Sequence, residues 1–436
     1  MRTYLKRSSQ REGFDRPAVE AAVAGMLADI RKDGDDAIHR YARDLDKWEN
    51  PDFRMSEDRK REVERLLPET FKDDIAYALK QVQDFARAQR ETMGELEIEL
   101  RPGAMLGHKH IPMQAAGCYT PGGKYPLVAG SIMSAGVAAV AGVKRIVGCA
   151  PPRDEKGVYP QTLYAFDAAG AHDVFALGGV QALAAMAYGL VDVPTVDLII
   201  GPGNPYVAEA KRQLFGVCGI DQLAGPTETL IIADETVDAA LVATDLLGQA
   251  EHGPDSPCWL ITTSRKLAEE TLAEVETQLK TLPTREVAGK AWRDYGEVVV
   301  VESKEEAVEV ADEYASEHLQ VMTADDDYYL ANLSNYGSLF VGEATTVAYG
   351  DKGVGTNHIL PTGRAARYTG GLWVGKFLKT VTWQRLTPEA SRQIAPVISR
   401  ISEAEGMLAH AITADVRYAR YAPKNENQPD DGSADA

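Results

Sequence analysis

Apolar residues in the first hundred positions recur at helical spacing, most clearly over 19–31 and 71–89. Residues three and four apart share one helix face, so these segments read as helices with one buried stripe. From about residue 115 the texture changes. Short apolar runs over 145–149, 173–177, 196–200 and 229–233 are separated by helical stretches such as 180–188 and 206–214. A second set follows: runs at 258–262, 297–301, 318–322 and 338–341, with helical stretches at 265–281 and 304–316. Strands alternating with helices predict βαβ units and a mainly parallel sheet in each set. After Pro388 the pattern returns to helix over 394–411 and 415–421, and the polar, acidic stretch 424–436 lacks periodicity. The expected class is α/β, with two Rossmann-like α/β units between helical terminal regions. The predicted divisions are a helical region at 1–114, α/β units at 115–240 and 241–385, a helical segment at 386–423, and a disordered tail at 424–436.

Composition narrows the function. The 436 residues carry a formal net charge of −19, which opposes binding to nucleic acid or to anionic membranes. No apolar run reaches membrane-spanning length, and the N-terminus lacks the apolar core of a secretory signal. Cys118, Cys149, Cys218 and Cys258 are widely spaced, with no Cys-x-x-Cys pair. The expectation is a cytoplasmic protein with reduced thiols and a small-molecule substrate.

Several constellations carry candidate chemistry. Gln249 and His252 stand three apart where Gly253-Pro254 ends a helical run. They are either two metal ligands on one helix tip or residues that merely finish a helix. Gly-rich turns at 119–123, 178–179 and 201–204 follow strands and open helices. Such turns can offer backbone N–H groups to a pyrophosphate, or can simply be tight connections. Glu317-His318 sets a carboxylate beside an imidazole, a candidate acid/base pair if a turn lets both face one cleft. Residues 349–362 form a Gly-rich segment containing Asp351 and His358, and Glu405 and His410 lie in the C-terminal helical region.

These motifs, in this order, resemble the histidinol dehydrogenase family over roughly residues 15–421. The resemblance rests on Tyr-Thr-Pro-Gly-Gly at 119–123, Gly-Gly-Val-Gln at 178–181, Gly-Pro-Gly-Asn at 201–204 and Ala-Gly-Pro-Thr-Glu at 224–228. It continues through Gln-Ala-Glu-His-Gly at 249–253, Glu-His-Leu at 317–319, Thr-Asn-His-Ile-Leu-Pro-Thr at 356–362 and Ala-Glu-Gly-Met-Leu-Ala-His at 404–410. It implies a zinc- and NAD-dependent enzyme that oxidises a small polar alcohol, L-histidinol or a relative, through the aldehyde to the carboxylate with two NAD. Carried over, Gln249, His252, Asp351 and His410 would hold Zn2+ and also face the substrate, with Thr227, His318 and Glu405. Glu317 and His318 would be the acid/base pair. Tyr119, Gln181 and Asn204 would hold NAD, on the first α/β unit. The 386–423 segment would dimerise the chain and swap onto the partner of a homodimer, completing its site.

Some segments depart from the biosynthetic pattern. Thr227 stands where the family usually has Ser, and 124–131, 255–259, 291–297, 371–375 and 381–385 also differ. They look like a side branch that includes sulfopropanediol dehydrogenase, which converts dihydroxypropanesulfonate to sulfolactate. Lys124 would pair with an anionic substrate group or a cofactor phosphate, or be a solvated lysine. A metallohydrolase using zinc-bound water is the alternative from another class.

Overall fold

A computed structural model describes residues 2–9, 16–122 and 125–423. Lys124 and the 424–436 tail lie outside the described residues. The chain divides into two compact units: Met1–Thr92 with Pro112–Leu378, and Met93–Ile111 with Lys379–Ala436.

The first unit contains two main sheets. One runs in the order Gly219–Ile220, Leu198–Ile200, Ala115–Tyr119, Arg145–Ala150, Asp173–Ala176. Its pairings are all parallel. The other runs Thr3–Lys6, Glu297–Val300, Cys258–Thr262, Thr229–Ala233, His318–Met322, Ser338–Val341. It is parallel except where Thr3–Lys6 pairs antiparallel with Glu297–Val300. Helices cover both faces, which is why the strands read as nearly continuous apolar runs. Along Thr229–Ala233, Ile231 and Ala233 pack into one buried cluster while Leu230 and Ile232 pack into another. Alternate side chains thus fill the cores above and below the same strand.

Sequence periodicity misplaced three features. The edge strand Thr3–Lys6 falls in a region that reads as helical, because four residues are too few to show a period. Residues 285–295 form an additional helix, Arg285–Tyr295, after the expected helix Arg265–Leu279. The two C-terminal helices expected over 394–411 and 415–421 instead span Pro388–Ala404 and Leu408–Arg420. The first begins on a Thr387 cap, and the chain leaves it through Glu405 and Gly406, whose φ of 74° no helix continues.

These two helices belong to the second unit. Its sheet has three strands, Leu378–Leu386, Ala104–Pro112 and Leu96–Arg101, in that order. The last two form an antiparallel hairpin. Among the described residues, no helix is long and apolar enough to cross a membrane.

Ile231 is fully buried at the middle of a central strand. Ile231→Ala should destabilise the first unit by about 2–5 kcal/mol through lost burial and a residual cavity. A fall in the urea midpoint of the first unit's transition measures it.

Candidate active site

Glu317 and His318 meet because a turn separates them. Ala315 adopts a left-handed backbone, with φ 49° and ψ 52°, and only from His318 onward is the chain a strand. The two side chains therefore do not alternate across the sheet. His318 Nδ1 lies 3.5 Å from Glu317 Oε2, and both residues are buried. Parallel pairing of Thr229 with His318 brings the preceding Glu228 against the same turn. The Glu228 N–H donates to Glu317 Oε2 at 3.0 Å. The Glu228 carbonyl faces His318 Nδ1 at 3.2 Å. A carbonyl only accepts, so Nδ1 carries the ring proton in the neutral tautomer and Nε2 presents its lone pair.

Nε2 is buried without a hydrogen-bond partner, 3.7 Å from Asp351 Oδ1. Asp351 Oδ2 lies 4.0 Å from His252 Nε2. Burial pushes the Glu317 carboxyl up to about 8. Burial alone would lower His318, but the Glu317 and Asp351 carboxylates outweigh it and push it up to about 9. Burial would raise Asp351, yet the facing His318 imidazole holds it well below the carboxylate range. The consistent arrangement is an ionised Asp351 facing the imidazole, with Glu317 as the carboxyl that readily keeps a proton.

Sequence reasoning had not singled out two further residues as site residues. The Glu228 side chain accepts the Gly363 N–H at 2.9 Å, while its other oxygen is buried and unpartnered. Burial pushes it up to about 7. The available signal was its place in the Pro-Thr-Glu motif, immediately before a wholly apolar strand. His358 lies beyond the short helix Val347–Lys352, which carries Asp351. Its Nδ1 is 2.8 Å from the Asp351 carbonyl. Thr227 is half-buried in the turn before Thr229–Ala233.

The expected zinc site is a correction. Among the described residues, no group of three or more His, Cys, Asp or Glu side chains could hold a metal ion. The Asp351 oxygens face two imidazoles at ion-pair distances. The Gln249 amide oxygen accepts the Thr229 hydroxyl at 3.4 Å. His410, the expected fourth ligand, and Glu405 are exposed residues of the second unit. Among the described residues of this chain the expected Zn2+ site is not found. The metal-bound water of the hydrolase alternative goes with it.

The cofactor candidates sit on turns at the ends of the five-stranded sheet. Tyr119 ends one strand, and its hydroxyl accepts the Gly179 N–H at 3.1 Å. Gln181 is buried in the helix Gly179–Tyr188. Asn204 caps the helix Pro205–Leu214, accepting from Tyr206 N and Val207 N. The N–H groups expected to meet a pyrophosphate are thus partly used by the chain itself. Gly178 N donates to Asp46 Oδ2 at 3.0 Å, and Gly201 N to Asp221 Oδ2 at 2.9 Å. Gly201, at φ 127°, leaves no room for a Cβ beside the Tyr119 carbonyl. Beneath it Lys211 pairs with Asp221, both buried, and donates to the Gly201 carbonyl at 2.9 Å. The neighbouring Gln222 donates to the Ile359 carbonyl at 2.6 Å, tying this turn to the segment that carries His358.

Two α/β sheets, with a buried carboxylate–imidazole cluster at the start of one and Gly-rich turns at the ends of the other, define a class of enzyme-like architecture. The comparisons name it. The model of the histidinol dehydrogenase family matches residues 9–418, and the chain belongs to that family. It is 53% identical over 403 residues to a histidinol dehydrogenase homolog of Shouchella clausii, covering 92% of this chain and 95% of the relative. It is 47% identical over 425 residues to the sulfopropanediol 3-dehydrogenase of Ruegeria pomeroyi, covering 96% and 97%. The crystal structure of histidinol dehydrogenase from Elizabethkingia anophelis superposes with a TM-score of 0.88 at 32% identity, covering 95% of this chain and 94% of that one. That likeness supports the α/β fold with helical terminal regions and internal sheets.

Removing one member of a buried ion pair strands the other charge. Lys211→Met should therefore cost about 3–5 kcal/mol of stability, far more than any exposed lysine. The shift in denaturant midpoint relative to an exposed Lys266→Met control checks this.

Proposed function

We propose that this chain is an NAD-linked dehydrogenase acting on a small polar alcohol. The observation that carries the reading is His318 Nε2, buried, unpartnered and flanked by Glu317 and Asp351. An alcohol losing hydride must also lose its hydroxyl proton, and the neutral His318 imidazole presents an unpartnered Nε2 to accept it. NAD, when bound, supplies the hydride acceptor. His318 takes the proton at Nε2, while its Nδ1–H stays on the Glu228 carbonyl. Asp351 stabilises the imidazolium so formed, and Glu317 exchanges protons with the pair. Thr227, Gln249 and His252 line the substrate side.

The cofactor fits the residues on the opposite sheet. Gln181 has a buried side-chain oxygen with no partner, beside the Tyr119 hydroxyl and the Gly179 turn. Tyr119, Gln181 and Asn204 would hold the dinucleotide there. We read the two parallel sheets as Rossmann-like units, residues 115–240 on the cofactor side and 241–385 on the acid/base side. The relative named sulfopropanediol 3-dehydrogenase is more similar in sequence than the solved histidinol dehydrogenase, which favours a small polar alcohol outside histidine biosynthesis as an equal candidate.

The working form is read as a homodimer in which 386–423 of one chain brings Glu405 and His410 to its partner's substrate. Support comes from the second unit's helices, where Val397, Ile398, Ile401, Leu408, Ile412 and Val416 are exposed. A contiguous apolar helix face of this kind is unusual on a free surface.

Two outcomes are expected. With NAD, L-histidinol or dihydroxypropanesulfonate should yield NADH by absorbance, and His318→Ala should lower kcat by about 10²–10⁴. Absence of NADH with either alcohol, and with a panel of similar ones, would sink the reading. In sedimentation the chain should run as a dimer, and Ile412→Asp with Leu408→Asp should shift it to monomer. A wild-type monomer at micromolar concentration would contradict the shared site.

A further inference from the structure

The turn at Gly178-Gly179 holds a charged group that neither the acid/base chemistry nor the expected cofactor residues account for. Asp46 lies at the end of a one-turn π-helical segment, Ala42–Asp46, far from the turn in sequence. Its Oδ2 accepts from Gly178 N at 3.0 Å and from Gln181 Nε2 at 2.9 Å. Gly178 permits this closeness, because a Cβ there would stand 2.8 Å from Asp46 Oδ1. Among the described residues no Lys or Arg pairs with Asp46. Asp46 is half-buried.

This arrangement reverses the usual chemistry of a helix start. Free N–H groups at that position attract phosphate. Here one is spent on an internal carboxylate and the next on the Tyr119 hydroxyl, so the turn presents negative charge and acceptor oxygens. The unpartnered Gln181 Oε1, on a side chain with 1% exposure, adds another acceptor, 3.2 Å from where a Cβ on Gly179 would sit. Asp46 Oδ1 and Gln181 Oε1 accept no hydrogen bond among the described residues, which calls for a ligand that supplies O–H or N–H groups and carries no charge at that point. In a dinucleotide, the ribose diol has that character. A phosphate on the ribose would set two negative charges against Asp46.

We infer that Asp46 is a specificity residue of the cofactor site, accepting a ribose hydroxyl of the dinucleotide and excluding its 2′-phosphorylated form. The inference rests on the reading of Tyr119 and Gln181 as cofactor residues. Asp46 donates nothing to the hydride transfer, and its effect is confined to which dinucleotide binds.

Calorimetric titration of the full chain with NAD and with NADP tests this without a substrate. The wild type should bind NAD more tightly, and Asp46→Asn, which keeps the shape of the side chain, should raise the NADP-to-NAD affinity ratio about tenfold or more. Asp46→Ser, which leaves room for a phosphate, should do the same. A gain of NADP binding is a result that a misfolded variant cannot give. An unchanged ratio in both variants, or equal binding of the two dinucleotides by the wild type, overturns the role of Asp46 and leaves the cofactor reading standing. Failure of the wild type to bind either dinucleotide overturns the cofactor reading itself, and the role of Asp46 with it.

Discussion

The parallel pairing of Thr229–Ala233 with His318–Met322 is the constraint on which the site depends. It aligns Thr229 with His318, and so sets the Glu228 backbone beside the Glu317–His318 turn. From that one register come the N–H that grips Glu317, the carbonyl that fixes the imidazole tautomer, and the unpartnered lone pair at Nε2. A slip of one residue would turn His318 to the other face and bury an apolar side chain where the acceptor stands. The register is secured by the two cores that the same strands fill from either side. Packing energy and chemical geometry are therefore specified by the same few residues.

The parallel strands were legible because burial on both faces makes them short, uninterrupted apolar runs. The Glu317–His318 contact was legible because the pair sits where a helix gives way to such a run. What the sequence did not disclose arises from distant contacts. Asp46 reaches Gly178 across more than a hundred residues, with no local pattern to announce it. Glu228 was visible within a motif, but its place beside Glu317 follows only from strand pairing. The zinc expectation failed for a related reason. Residue types in the right order do not fix distances: Asp351 faces His318 and His252, and among the described residues no group of three or more His, Cys, Asp or Glu could hold a metal ion.

The turns at Gly178 and Gly201 share a design in which an internal carboxylate occupies a backbone N–H. Asp221 does so in full burial, with Lys211 as counter-ion, and this fixes the Gly201 turn rigidly. Asp46 does so half-buried and unpaired, which leaves charge at the surface of the turn. The same hydrogen bond recurs in both places, and the difference is burial plus a lysine.

The second unit is assembled from two stretches of chain, and this has a consequence for its synthesis. The hairpin of Leu96–Arg101 and Ala104–Pro112 emerges early, yet its third strand, Leu378–Leu386, comes near the end. Until then the Ala104–Pro112 edge lacks its partner strand, while Leu96, Ile98 and Leu100 are exposed even in the finished fold. An unpaired edge with apolar side chains is a template for wrong partners. The nascent chain must therefore carry a sticky hairpin through most of its translation. Release factors that act early, or a truncation before residue 378, would leave behind a fragment prone to aggregate rather than a smaller working enzyme.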